Sequence, residues 1–186
     1  ISCALDGVAL IRFFGHFYSG KIKFLVNDLL MHIKPLAPVF LPINKYGSQA
    51  KESSLQINNA YESDEQMLIF PAGLCSRLQH GKIKDLEWKK TFIAKAVQSQ
   101  RDIIPIYFEG RNSTFFYRFA QIRKCIGLKF NIELIYLPDE MFNSKNKTFD
   151  IYIGKPIPWQ TFDKSKSLQE WAQIVKEKVY QIKKNQ

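Results

Sequence analysis

Long apolar runs, acidic residues and paired cysteines are scarce in this chain, and each shortage excludes something. No uninterrupted apolar stretch approaches the roughly 20 residues that a membrane-crossing helix needs. The first residues lack the basic-then-apolar order of a signal peptide. Cys3, Cys75 and Cys125 are odd in number and far apart, so they supply neither a disulfide framework nor the close pairs of a zinc site. Reduced thiols and no bound metal are the expectation. With only 17 Asp and Glu against 27 Lys and Arg, the formal charge of +10 predicts an anionic partner: acidic lipid, a phosphorylated substrate or nucleic acid. Nucleic acid is disfavoured, because the cations are scattered and no recognition module is present.

What is present suits one packed domain over residues 1–186, since the chain is 46% hydrophobic and 14% aromatic. Asp6-Gly7 stands before an apolar run from Val8 to Phe14, a short buried helix with Asp6 as its N-cap. Ile22 to Val26 reads as a strand, and Asn27 or Asp28 as the cap of a short helix through Leu29, Leu30 and Ile33. Val39 to Lys45 is a strand interrupted by Pro42, hence an edge or a bulge. Ser48 to Ser63 is a polar surface helix with a modest stripe of Leu55, Ile57 and Ala60. Trp88 to Gln98 has helical spacing, and Asp102 to Phe108 is a buried strand around Pro105. Ser113 to Lys124 is a helix carrying aromatics beside cations, readable as a core helix or as an interfacial one. Phe130 to Leu137 and Thr148 to Ile153 are strand-like, and Ser167-Leu168-Gln169-Glu170 is a capping box opening the last helix. This alternation predicts an α/β fold.

The stretch around which the chain is organised is Met67 to Arg77. Its strand-like start stops at Pro71, Gly73 permits close backbone approach to an anionic ligand, and Ser76 and Arg77 follow. In an open α/β sheet such a loop faces the crevice at the strands' carboxyl ends. Cys75 beside Arg77 has some claim to thiolate character, but its block contains no His to support a nucleophile. His80 falls on an exposed tip, while His16 and His32 sit among apolar neighbours as packed or boundary residues.

Phe70, Pro71, Gly73, Ser76 and Arg77 resemble the Phe-Pro-Glu-Gly-Thr-Arg-Ser-Arg block of the glycerophospholipid acyltransferases, which include 1-acylglycerol-3-phosphate acyltransferase. Ala72, Leu74 and Cys75 replace its Glu, Thr and first Arg. Other blocks follow in the family's order: Val39 to Lys45 with Lys45 in an Arg position, the helix before Ile104-Pro105-Ile106, and Gly154-Lys155-Pro156-Ile157. Leu5-Asp6-Gly7 looks like the end of the block whose His acts as general base. In one version of that block the His would lie just before Ile1, and in the commoner one Ile1 would occupy its place.

The resemblance implies a mixed, mostly parallel sheet flanked by helices, and an upstream segment that carries the catalytic His. It also implies O-acyl transfer from an acyl-carrier-protein or coenzyme A thioester to the hydroxyl of a lyso-lipid, with no bound cofactor. Asp6 would orient the His. Arg77 and Lys45 would hold the acceptor's anionic head, with Gly73, Cys75 and Ser76 lining the site. Loss of the first motif Arg and the Glu opens the acceptor to a lyso-lipid with an amino-acid head as well as to lysophosphatidic acid. The expected location is cytoplasmic, peripheral on the anionic inner face of the cell membrane, with the isolated 186 residues inactive. The alternative is a non-catalytic basic lipid-binding domain of the same fold.

Overall fold

A computed structural model describes residues 5–26, 34–43, 48–79, 81–128, 131–145 and 147–183. The expected cap at Asn27 or Asp28, Lys45, His32, His80 and Cys3 therefore lie outside the described residues. Helix α1 (Leu5–Phe17) runs into a tight turn and back along strand β1 (Ile22–Val26). Along β1, Ile22, Phe24 and Val26 are buried on one face, the period of two that a strand imposes. β1 is the centre of a parallel sheet, paired on one side with β2 (Phe40–Pro42) and on the other with β3 (Gln66–Leu68). Pro42 thus occupies an edge strand, where its missing N–H costs no ladder bond. Helix α2 (Ser48–Glu62) connects β2 to β3; Leu55, expected on its apolar stripe, is exposed, and Ala60 and Tyr61 face inward.

After β3 come an antiparallel hairpin, β4 (Arg77–Gln79) with β5 (Lys82–Lys84), then α3 (Thr91–Gln98) and β6 (Ile106–Phe108). Helix α4 (Thr114–Cys125) is capped by Ser113, whose hydroxyl accepts from Phe116 N–H at 3.1 Å. A 3₁₀ segment (Ile132–Tyr136), helix α5 (Leu137–Phe142), strand β7 (Ile151–Ile153) antiparallel to β6, and α6 (Leu168–Ile182) complete the single α/β domain. In place of the expected mixed sheet, the described strands form a small parallel sheet, β2-β1-β3, and two separate antiparallel pairs, β4-β5 and β6-β7.

Three further expectations are corrected. Strand β3 ends at Leu68, before Phe70, because Ile69 and Phe70 already lead into the turn at Pro71. Helix α3 begins at Thr91 and not at Trp88: Trp88 donates through Nε1 to Asp85 at 3.1 Å, and Lys89 N–H donates to the Pro71 carbonyl at 3.0 Å. The segment expected as a strand from Phe130 to Leu137 is helical over Ile132–Tyr136 and onward, with Glu133 and Leu137 buried four residues apart. Burying Glu133 beside two arginines sets that backbone, and strand pairing does not.

Among the described residues the core has two large clusters and a smaller one around Cys75 and Phe116. Leu10, Ile11 and Phe14 of α1 pack over Phe24, Phe40 and Phe108. Phe92, Ile93 and Ala96 of α3 meet Ala172, Val175 and Val179 of α6. The α6 face recurs at helical spacing, and its start is fixed by the capping box, in which Ser167 Oγ accepts from Glu170 N–H at 3.2 Å and Glu170 returns to Ser167 N–H at 2.8 Å. Ser167→Ala should cost about 1 kcal/mol and lower the melting temperature by roughly 2–4 °C in calorimetry; no change would mean that the box is redundant.

Candidate functional site

Because α1 runs antiparallel to β1, its N-terminus lies at the carboxyl edge of the parallel strands, the edge from which the Phe70 to Arg77 loop departs. Contacts join the two. A Cβ added at Gly7 would stand 3.1 Å from the Phe24 ring and 3.8 Å from the Phe70 ring, and those rings meet edge to face at 5.0 Å. Gly7 is therefore needed for the close approach of α1 to the loop. Asp6, in the first turn of α1, is fully buried, and its Oδ1 accepts from Gly7 N–H at 3.0 Å. His16 lies at the far end of the same helix and is exposed, contrary to its expected packing.

The loop is a closed turn. Gly73 N–H donates to the Phe70 carbonyl at 2.9 Å, and Gly73 has φ +68°, a left-handed conformation that a Cβ would strain. The Lys89 ammonium stands over it: a Cβ at Gly73 would lie 2.9 Å from Lys89 Nζ. Among the described residues no carboxylate pairs with Lys89. The sequence does not show this cation at the turn, because Lys89 falls within the helical spacing of Trp88 to Gln98. The trace of it is the Lys89 N–H to Pro71 carbonyl bond, which spacing along the chain does not reveal.

The end of the loop is buried. Cys75 is fully enclosed beside Phe116, Tyr117 and Leu137, out of reach of a thioester in solution. Ser76 Oγ donates to Asp85 Oδ1 at 2.5 Å, and Asp85 Oδ2 accepts from Trp88. Asp85 N–H donates to Tyr180 Oη at 3.0 Å, and the Asp85 and Leu86 carbonyls accept from Lys176 Nζ at 3.0 and 2.8 Å. Burial, reinforced by the Asp85 carboxylate, pushes the Tyr180 phenol up to about 12. The folded chain then holds that proton after the unfolded chain has lost it near pH 10. Stability contributed by this group is complete below pH 10 and lost as pH rises toward 12. Urea melts at pH 9, 10 and 11 should show stability declining with pH, with a shallower decline in Tyr180→Phe; parallel slopes would exclude Tyr180 as a source.

Arg77 has a protein partner. Its Nη2 donates to Glu133 Oε1 at 2.6 Å, its guanidinium lies 5.9 Å from the centre of the Phe116 ring, and Glu133 is wholly buried. Arg123 Nε approaches Glu133 Oε2 at 2.8 Å as an ion pair, without the alignment of a hydrogen bond. The structure thus brings Asp6 and Gly73 to one edge, and turns Ser76 and Arg77 inward as supports of the loop. Removing one arginine leaves a buried carboxylate half compensated. Arg77→Ala should therefore cost about 2–4 kcal/mol and lower the melting temperature by roughly 5–15 °C. An unchanged melt would make the pair dispensable.

Two cavities flank the loop. An apolar one of about 200 Å³ is lined by Leu10, Phe14, Phe70, Phe92, Ile106 and Val179. A larger, half-polar one of about 810 Å³ is lined by Ser76, Tyr107, Arg111, Asn112, Lys147 and Tyr180 among others. No cluster of His, Cys, Asp and Glu suited to a metal occurs among the described residues.

Residues 3–186 match the acyltransferase family. The chain belongs to that family. It is 56% identical over 177 residues to a lyso-glycine lipid O-acyltransferase of Bacteroides thetaiotaomicron, a match covering 95% of this chain and 65% of that protein. To the lyso-glycine lipid O-acyltransferase of Phocaeicola vulgatus it is 54% identical, over 95% of this chain and 63% of the other. The chain thus spans somewhat less than two thirds of the length of these curated relatives. No solved structure matches it.

Proposed function

We propose that this acyltransferase-family chain takes part in O-acylation of a lyso-lipid, with a lipid bearing a glycine head as the acceptor. The observation that carries the reading is the approach of Gly7, the neighbour of the buried Asp6, to Phe24 and to Phe70 at the start of the Phe70 to Gly73 turn, at one edge of the sheet. Acyl transfer to an alcohol needs a base for the hydroxyl proton, a group that orients the base, and donors for the oxyanion that develops on the thioester carbonyl. Asp6 serves in this reading as the orienting carboxylate, and an imidazole hydrogen-bonded to it is the base that the reading requires. His16 is ten residues farther along α1, about 15 Å by helical rise, and is not that base. The acceptor oxygen attacks the carbonyl carbon as its proton passes to the imidazole, and the thiolate of the acyl-carrier-protein or coenzyme A donor leaves.

For the acceptor's anionic head, Lys89 replaces Arg77 as the cation of choice, since its ammonium lies over the Gly73 turn and Arg77 is engaged by Glu133. The apolar cavity beside Leu10 and Phe70 suits the acyl chain, being enclosed by aliphatic and aromatic side chains. A non-catalytic lipid binder needs no buried carboxylate at this edge, whereas acyl transfer uses one.

Two variants of the intact protein test the division of labour. Asp6→Asn should lower kcat by about a thousandfold or more while the acceptor KM holds. Lys89→Ala should raise the acceptor KM about ten- to a hundredfold at unchanged kcat, the ~1.5–3 kcal/mol of a charge-assisted hydrogen bond. Full activity in Asp6→Asn would remove Asp6 from the mechanism, absence of acyl transfer in the intact wild type would leave the non-catalytic reading, and an unaltered KM in Lys89→Ala would remove the lysine from the site.

A further inference from the structure

Helix α4 is apolar on two opposite faces. Phe116, Tyr117 and Ala120 are buried on one. Phe115, Phe119, Ile122 and Ile126 follow at steps of four, three and four along the other, the spacing of a helical stripe. On that outer side Phe115 is 56% exposed, Ile122 57% and Ile126 67%; nearby Ile135 is 73% and Phe142 70%. The rings of Phe115 and Phe119 stack at 5.9 Å, and Tyr136 meets both edge on at 5.4 and 5.5 Å, so the aromatic part of the face forms one cluster. Seven of the thirteen large apolar side chains exposed among the described residues lie between Phe115 and Phe142. A patch of this kind marks an interaction surface.

Its charge indicates the partner. From Arg111 to Tyr136 the sequence carries five cations against the single acid Glu133, which is buried and takes Arg123 as an ion-pair partner. Arg118 of α4 is exposed, as are Arg111 just before the helix and Lys145 and Lys147 after α5, with Asp139 as an exposed acid and Glu140 engaged by Ser113. Exposed cations on and next to an apolar stripe match an anionic leaflet, in which rings and aliphatic groups enter the acyl boundary while arginine and lysine meet headgroups. The face also adjoins the half-polar cavity, whose rim includes Ser113, Thr114, Asn143 and Lys147, next to Phe115 and Phe142. We infer that the α4–α5 face is a membrane-docking surface for anionic lipid, and that it sets the mouth of this cavity at the level of the headgroups. Phe116 and Tyr117 have no part in it, being core. The inference does not depend on the acyl-transfer reading, because vesicle binding is measured without a donor or an acceptor.

The test is cosedimentation of the intact protein with phosphatidylglycerol-containing and with pure phosphatidylcholine vesicles, at low and high salt. A thermal melt and sedimentation velocity accompany it. The expected result is binding to the anionic vesicles that weakens with salt. The triple variant Ile122→Gln, Ile126→Gln, Ile135→Gln should bind about tenfold or more weakly with an unchanged melt, since the three side chains face outward. Arg118→Gln should lose about fivefold at low salt and little at high salt. Vesicle binding unaltered in the triple variant overturns the proposal. So does a wild-type dimer that the triple variant dissociates, which assigns the face to a second copy, or a large drop in its melt, which assigns the face to protein packing. Acyl transfer that fails while vesicle binding behaves as stated refutes the proposed function alone.

Discussion

The buried carboxylate of Asp85 is the constraint on which the loop depends. It accepts from Ser76 and from Trp88, its own N–H reaches Tyr180, and its carbonyl takes the Lys176 ammonium, so one residue ties the loop, the segment before α3, and α6 together. A charge taken out of water is tolerated only when hydrogen bonds replace its hydration, and here Ser76 and Trp88 supply them to the carboxylate while Tyr180 and Lys176 of α6 hold the main chain of the same residue. The loop is consequently held at both ends, by Phe70 against Phe24 and by Ser76 against Asp85. Between them the exposed Gly73 turn is presented under Lys89 at the same edge as Asp6.

A second buried acid explains the fate of the most tempting motif residue. Glu133 draws Arg77 and Arg123 inward, and with the Phe116 ring beside Arg77 it closes the wall behind Cys75. The arginine that a motif reading assigns to a ligand thus serves the protein's own packing, and the surplus of cations is left to the surface. Buried ion pairs of this sort are costly to break, which makes them good fixings for a loop that must hold one geometry.

What could be read from the sequence was local. The strand Ile22–Val26 follows from alternation alone, and the capping box at Ser167 from four adjacent residues. The edge position of Pro42 follows from its missing donor. What could not be read depended on partners distant in the chain. The apolar run around Glu133 looks like a strand until Arg77, 56 residues away, supplies the reason for a buried acid at helical spacing. Lys89 looks like part of a helix until its N–H is seen closing on Pro71. The two-faced character of α4 was visible as aromatics beside cations, but which rings face the core is decided by Cys75 and Leu137 packing on Phe116 and Tyr117.

Asp85 holds the turn in place through Ser76 and Trp88. Amide hydrogen exchange in wild type and Asp85→Asn measures it at individual residues. The N–H groups of Gly73 and Lys89, which bond Phe70 and Pro71, should exchange about ten- to a hundredfold faster in the variant, while those of β1 keep their rates. Equal rates in both proteins, or a uniform acceleration that includes β1, would contradict the claim that Asp85 holds the turn.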